Sequence, residues 1–97
     1  MESITVLRKR PGESWEVVRI DNTLESLYRE VGGYIETVTL FADACLIVNE
    51  EGRINGMPFN CELCGNQYFG TILLVGVNDE DFTSLTVDLA LLLKFLR

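Results

Sequence analysis

The sequence predicts an α+β fold, with a mixed or antiparallel sheet of about five strands, a short central helix and a C-terminal helix. Two observations lead to this prediction. Short runs of β-branched and aromatic residues recur along the chain and are separated by turn residues. Two other stretches, 23–31 and 86–97, repeat apolar residues with the helical period. The length of 97 residues predicts a single α+β domain over 1–97.

The first third of the chain predicts a hairpin followed by a helix. Residues 4–7 and 15–20 have strand composition, and a Pro-Gly turn separates them. We expect Asn22 to be the N-cap of the helix, because Glu25 follows three residues later as in a capping box. The apolar stripe of this helix consists of Leu24, Leu27, Tyr28 and Val31. Gly32 is the expected C-terminal capping residue.

Three further strands are predicted at 34–40, 45–48 and 68–77. The middle one is continuously apolar, which is typical of a strand that is covered on both faces. A loop is predicted between the last two strands, and Gly70 is interpreted as a bulge in the final one.

The predicted C-terminal helix is apolar nearly all round. One face should pack on the sheet of its own chain, and another should pack on a partner. The sequence therefore predicts a homo-oligomer that assembles through 86–97, with Leu91 and Phe95 as the expected exposed pair.

Charge and composition exclude several classes of function. The formal charge is −7, from 15 acidic and 8 basic residues, which disfavours binding to the backbone of DNA or RNA. Because there is no histidine, His-dependent triads and His zinc sites are excluded. Neither a signal peptide nor a membrane span is recognisable, so we expect a cytoplasmic protein. No base–nucleophile pair stands out, and we expect no enzymatic activity.

The cysteines offer a weak indication of a metal site. Cys61 and Cys64 have the spacing of half a zinc knuckle, but a closed zinc site needs four ligands. The remaining thiol, Cys45, lies in a predicted buried strand. The prediction is therefore that no metal or other cofactor is bound; the alternative is a dimer that supplies two cysteine pairs.

The stretch 31–36 is the predicted functional site. Helix capping accounts for Gly32 but not for Gly33, and Glu36 is a lone charge in a strand. Tyr34 offers a flat apolar face and a hydroxyl group. A phosphate cradle at the two glycines is disfavoured, because they follow a helix instead of preceding one. The alternative for Glu36 is a salt bridge with Arg19 or Arg53. The candidate ligand-binding residues are Gly32, Gly33, Tyr34, Glu36, Asn49, Arg53 and Asn60.

The segments G-G-Y-I-E at 32–36 and N-E-E-G at 49–52, followed by G-M-P-F-N at 56–60, resemble a widespread family of small phage- and plasmid-borne proteins known only as a domain of unknown function. The resemblance implies a mobile-element setting inside a bacterial host. It suggests a non-catalytic protein that binds and sequesters a small nucleotide immune signal, an anti-defence sponge. The alternative is an acidic inhibitor of a host defence or DNA-processing protein, for which the loop 79–81 would be suited.

Overall fold

A six-stranded antiparallel sheet organises the computed structural model, which describes residues 2–41, 43–79 and 81–85. These residues form one helix and eight strands. In chain order, the elements are β1 (Ser3–Lys9), β2 (Glu16–Asp21), α1 (Leu24–Val31), β3 (Ile35–Phe41), β4 (Ala44–Asn49), β5 (Phe59–Leu63), β6 (Asn66–Phe69), β7 (Ile72–Asn78) and β8 (Asp81–Thr83). The predicted helix at 86–97 and its proposed role in assembly lie outside the described residues.

The main sheet has the strand order β2-β1-β7-β4-β3, and β8 also pairs with β7. Every pairing is antiparallel. The predicted β1–β2 hairpin is confirmed, with Val6 opposite Val18. β4 is buried along its whole length, as its continuous apolar sequence predicts. The α+β class is therefore correct in outline, whereas the prediction of about five strands is wrong.

Three strands are additional to the prediction: β5 lies in the predicted loop, β6 overlaps the predicted strand 68–77 only in part, and β8 follows that strand. β5 and β6 form a second, two-stranded sheet. They are joined at Cys64 and Gly65, which both have positive φ angles, of 50° and 83°. This is the backbone pattern of a tight type I′ hairpin turn. The predicted strand 68–77 is also divided, because Gly70 adopts a φ of 79° and separates β6 from β7.

The two faces of the main sheet carry different layers. On one face, Leu27 and Val31 of α1 pack against Val6, Ile47 and Val75. On the other face, Tyr68 of the β5–β6 hairpin packs in a second core, whose sheet residues include Leu7, Leu46, Val48 and Leu74. The helix and the hairpin thus lie on opposite sides of the sheet.

The two caps of α1 agree with the prediction at the C-terminal end but not at the N-terminal end. Thr23, not Asn22, is the N-cap, and its hydroxyl accepts a hydrogen bond from the Ser26 amide at 3.1 Å. Asn22 instead donates from Nδ2 to the carbonyl oxygen of Phe82 at 2.8 Å. At the other end, Gly32 is the C-terminal cap in the left-handed conformation, as predicted.

Candidate functional site

A cleft of about 330 Å³ opens where the β5–β6 hairpin meets the edge of the main sheet. Three parts of the chain form its walls: β3, the end of β4 with the turn after it, and β6. Its lining residues are Glu36, Val38, Val48, Asn49, Glu50, Gly52, Arg53, Asn66, Gln67, Tyr68 and Phe69.

Three of the predicted site residues line this cleft, namely Glu36, Asn49 and Arg53. Gly32, Gly33, Tyr34 and Asn60 do not belong to its lining. The cleft also contains β6 side chains that were not among the predicted site residues. They were missed because 68–77 was interpreted as one strand, with no hairpin folding back over the sheet.

Arg53 is held in place at the wall of the cleft. Its Nη2 donates a hydrogen bond to Oε1 of Gln67 at 3.0 Å. Its guanidinium carbon lies 5.2 Å from the centre of the Phe69 ring, which is the geometry of a cation–π contact. Phe69 itself packs edge-on against Phe59, with 5.6 Å between ring centres. The result is an oriented, exposed cation with an aromatic ring and an amide beside it.

Glu36 is an exposed carboxylate on the hairpin side of β3. Within residues 2–41, 43–79 and 81–85, no salt bridge involves it. The alternative pairing with Arg19 fails because β2 and β3 occupy opposite edges of the sheet. Arg53 lines the same cleft, but it bonds to Gln67 and not to Glu36.

Tyr68 forms the floor of the cleft and is 7% exposed. Burial raises the pKa of its phenol above the ordinary value, although a hydrogen bond with the Asn66 side chain opposes this shift. The phenol is therefore neutral at physiological pH, and it presents a hydrogen-bonding group with no charge.

The two glycines serve the helix end and a buried asparagine. The amides of Gly32 and Gly33 both donate to the carbonyl oxygen of Tyr28, at 2.8 and 3.0 Å. A Cβ on Gly33 would lie 2.9 Å from Nδ2 of Asn49. Because that contact is too close, the second glycine is explained by the approach of Asn49. These amides are already bonded within the chain and do not point to a ligand.

Asn49 and Asn60 are both anchors of the fold. Asn49 donates to the carbonyl oxygen of Val31 at 3.1 Å and accepts from the Glu51 amide at 2.7 Å. Asn60 donates from Nδ2 to the carbonyl oxygens of Lys9 and Gly70, at 2.8 and 2.7 Å. Its Oδ1 accepts from Nζ of Lys9 at 2.8 Å. Asn60 thus fastens the hairpin to β1.

Tyr34 lies apart from the cleft, next to the helix. Its ring meets Tyr28 edge-on, with 5.4 Å between ring centres, and it is 67% exposed. Of the predicted stretch 31–36, the structure therefore places Glu36 alone in the cleft.

The cysteines are free thiols in three different environments: Cys45 is buried, Cys61 is half-buried and Cys64 is exposed. Burial raises the pKa of the Cys45 and Cys61 thiols, although Lys9 opposes this shift at Cys61. Both are therefore protonated, weak nucleophiles at neutral pH. In the part of the chain that the structure describes, no group of three or more Cys, Asp or Glu residues is arranged to hold a metal ion.

Among the described residues, no helix is both long and apolar enough to cross a bilayer. The sequence profile of a family described as a domain of unknown function (DUF3846) matches residues 4–96. No curated protein and no solved structure is detectably similar to the chain.

Proposed function

The chain belongs to the DUF3846 family, a domain of unknown function, and we propose that it binds a small nucleotide in the cleft between the hairpin and the sheet. The observation that carries this proposal is the convergence of Arg53, Gln67 and Glu36 on one cleft from three separate elements. The net negative charge of the chain is compatible with such a ligand, because binding a small nucleotide requires far fewer cationic side chains than binding a nucleic-acid backbone.

The lining matches the chemical groups of a nucleotide. A guanidinium that lies over an aromatic ring offers its second face to a stacked base, and its N–H groups to a phosphate. The amide of Gln67 and the phenol of Tyr68 can read the edge of a base. Glu36 is suited to accept hydrogen bonds from an exocyclic amine or from ribose hydroxyls.

The size of the cleft limits the ligand. A volume of about 330 Å³ lies at the low end of the range of about 300–1,000 Å³ that is typical of small-molecule sites. One nucleoside unit with its phosphate is the expected content of one cleft.

Binding without turnover is the activity we propose. In the mobile-element setting that the sequence resemblance implies, such a protein would act by sequestering a nucleotide immune signal in the host cytoplasm. The thiols of Cys45 and Cys61 are protonated, and the chain has no histidine to activate a nucleophile.

The test is thermal unfolding with a panel of cyclic mononucleotides, cyclic dinucleotides and ADP-ribose derivatives. A ligand at about 100 times its Kd should raise Tm by roughly 10 °C or more. Arg53→Gln should weaken binding of that ligand about tenfold or more, because it removes the cation. Arg19→Gln is the matched control, since it removes an exposed cation from the opposite edge of the sheet.

The variant Tyr34→Ala distinguishes a ligand site in the cleft from one at the stretch 31–36 beside the helix, which the sequence predicted. Because Tyr34 does not line the cleft, this variant should bind as tightly as the parent protein. A loss of affinity in Tyr34→Ala with normal binding by Arg53→Gln would move the site to the helix side of the sheet. Absence of any shift across the panel would contradict the proposal.

An acidic second surface favours the alternative of a protein-binding inhibitor. Glu2 and Asp81 line a polar cleft of about 520 Å³ at the other end of the sheet, together with Asn22, Asn78, Phe82 and Thr83. Such a surface suits a basic protein partner. If this is the activity, Glu2→Gln with Asp81→Asn should reduce capture of a basic host protein, whereas Arg53→Gln should leave the capture unchanged.

A further inference from the structure

β3 is an outer strand of the main sheet with little protection against pairing. No other strand in the described part of the chain bonds to its outer edge, because its one neighbour is β4. Edge strands are commonly protected by charges, prolines or bulges. The opposite edge, β2, has three charged residues in six, whereas β3 has a single charge, Glu36, in seven.

The backbone groups that face outward on β3 can be assigned from one hydrogen bond. The Glu50 amide donates to the carbonyl oxygen of Tyr34 at 2.9 Å, so these two residues form a hydrogen-bonded pair. Antiparallel strands alternate between bonded and non-bonded pairs. The N–H and C=O groups of Ile35, Thr37 and Thr39 therefore point away from β4.

The part of β3 that can pair with another strand is short and regular. The register between β3 and β4 runs without interruption from Ile35 to Thr39, and it shifts between Thr39 and Phe41. Thr37 is the middle residue of the uninterrupted run. It is exposed, as is Thr39, so neither side chain is needed for the packing of its own chain.

We propose that two copies of this chain pair through β3, antiparallel to each other, about a two-fold axis at Thr37. In this register, Thr37 faces the partner subunit's Thr37, and Ile35 faces the partner subunit's Thr39. All three outward-facing residues of each strand form bonded pairs. Glu36 faces the partner subunit's Val38, so that no like charges lie directly opposite each other. The self-complementary run makes a second copy the expected occupant of this edge.

The pairing would complete the cleft. A two-fold axis perpendicular to the sheet keeps both hairpins on the same face. Glu36 and Val38 both line the cleft and both lie on the paired strand. The partner subunit's Glu36 therefore comes next to Val38, at the border of each cleft. This inference concerns assembly and stands whether or not a nucleotide is the ligand.

The experiment is light scattering with analytical ultracentrifugation over a wide range of concentration. The parent protein should reach twice its chain mass of 10.9 kDa. Thr37→Pro removes an outward amide and should weaken the dimer roughly 30-fold or more, while circular dichroism shows an unchanged fold. Thr37→Lys, which sets two cations opposite each other, should have the same effect through charge.

Arg19→Pro is the matched control. The Asn22 amide donates to the Glu2 carbonyl oxygen at 2.8 Å, so the amide of Arg19 also faces outward, but on β2. This variant should remain a dimer. A parent protein that stays monomeric would overturn the proposal. So would a dimer that resists both Thr37 variants but dissociates when Leu91 and Phe95 are replaced by Glu, which would assign assembly to the C-terminal segment.

Discussion

Replacing Asn60 with alanine should lower the free energy of unfolding by about 3 kcal/mol. The side chain is 7% exposed, and its amide bonds to two backbone carbonyls, those of Lys9 and Gly70. The substitution deletes three hydrogen bonds, including the one accepted from the Lys9 ammonium. Because those partners are partly or fully buried, they cannot all be replaced by bonds to water. Urea unfolding, followed by circular dichroism, measures the loss.

Two further variants test this interpretation. Glu62→Ala removes an exposed side chain from the same hairpin and should change stability by less than about 0.5 kcal/mol. Asn60→Asp keeps an acceptor for Lys9 but loses both amide donors, so it should also be strongly destabilised. If Asn60→Ala cost less than about 1 kcal/mol, the hairpin would have to be held mainly by its apolar contacts.

Gly76→Ala should destabilise the protein by more than about 3 kcal/mol and lower Tm by more than about 12 °C. Gly76 lies in β7, where it pairs with Thr83 of β8, and Ser84 follows directly after that strand. A Cβ there would collide with the carbonyl oxygen of Ser84, and would lie 2.8 Å from Oγ1 of Thr83 and 3.0 Å from the Ser84 carbonyl carbon. Backbone atoms cannot move aside as the end of a flexible side chain can. Thermal unfolding is the measurement.

Gly12→Ala is the control for this substitution. Gly12 has a φ of 77°, and a Cβ at this position would meet no other atom within 4 Å. The variant should therefore lose only about 1 kcal/mol, from backbone strain. Equal losses in the two variants would show that the backbone at Thr83 and Ser84 moves aside, and that close packing at Gly76 contributes little to stability.

Local elements were predictable because their signals lie close together in the sequence. The helical stripe and Gly32 identified α1 correctly, and the apolar run identified β4 as a buried strand. The N-cap was misplaced by one residue because Asn22 and Thr23 are both good capping residues. The Asn22 side chain instead donates a hydrogen bond to the Phe82 carbonyl oxygen. Because Phe82 lies 60 residues further along the chain, no local pattern reveals this contact.

The β5–β6 hairpin was missed because its turn has an unusual sequence. Tight turns with two positive φ angles usually carry Asn-Gly or Asp-Gly, whereas here the first position is Cys64. The spacing of Cys61 and Cys64 was instead compared with that of half a zinc knuckle. Without the hairpin, the cleft lacks the wall that β6 forms. Glu36 was still identified as a site candidate, because a lone charge on an apolar strand face is a local conflict.

The position of β7 has a consequence for how the chain folds. β7 lies between β1 and β4, and it pairs Leu74 with Leu7 and with Leu46. The two halves of the sheet, β2-β1 and β4-β3, therefore stay unjoined until the chain has been synthesised beyond residue 72. Closing such a distant contact is entropically slow, and until then both halves present unpaired strand edges and apolar side chains. During synthesis on the ribosome, the half-sheets would thus persist as separate hairpins, and the arrival of one late strand would convert them into a single sheet.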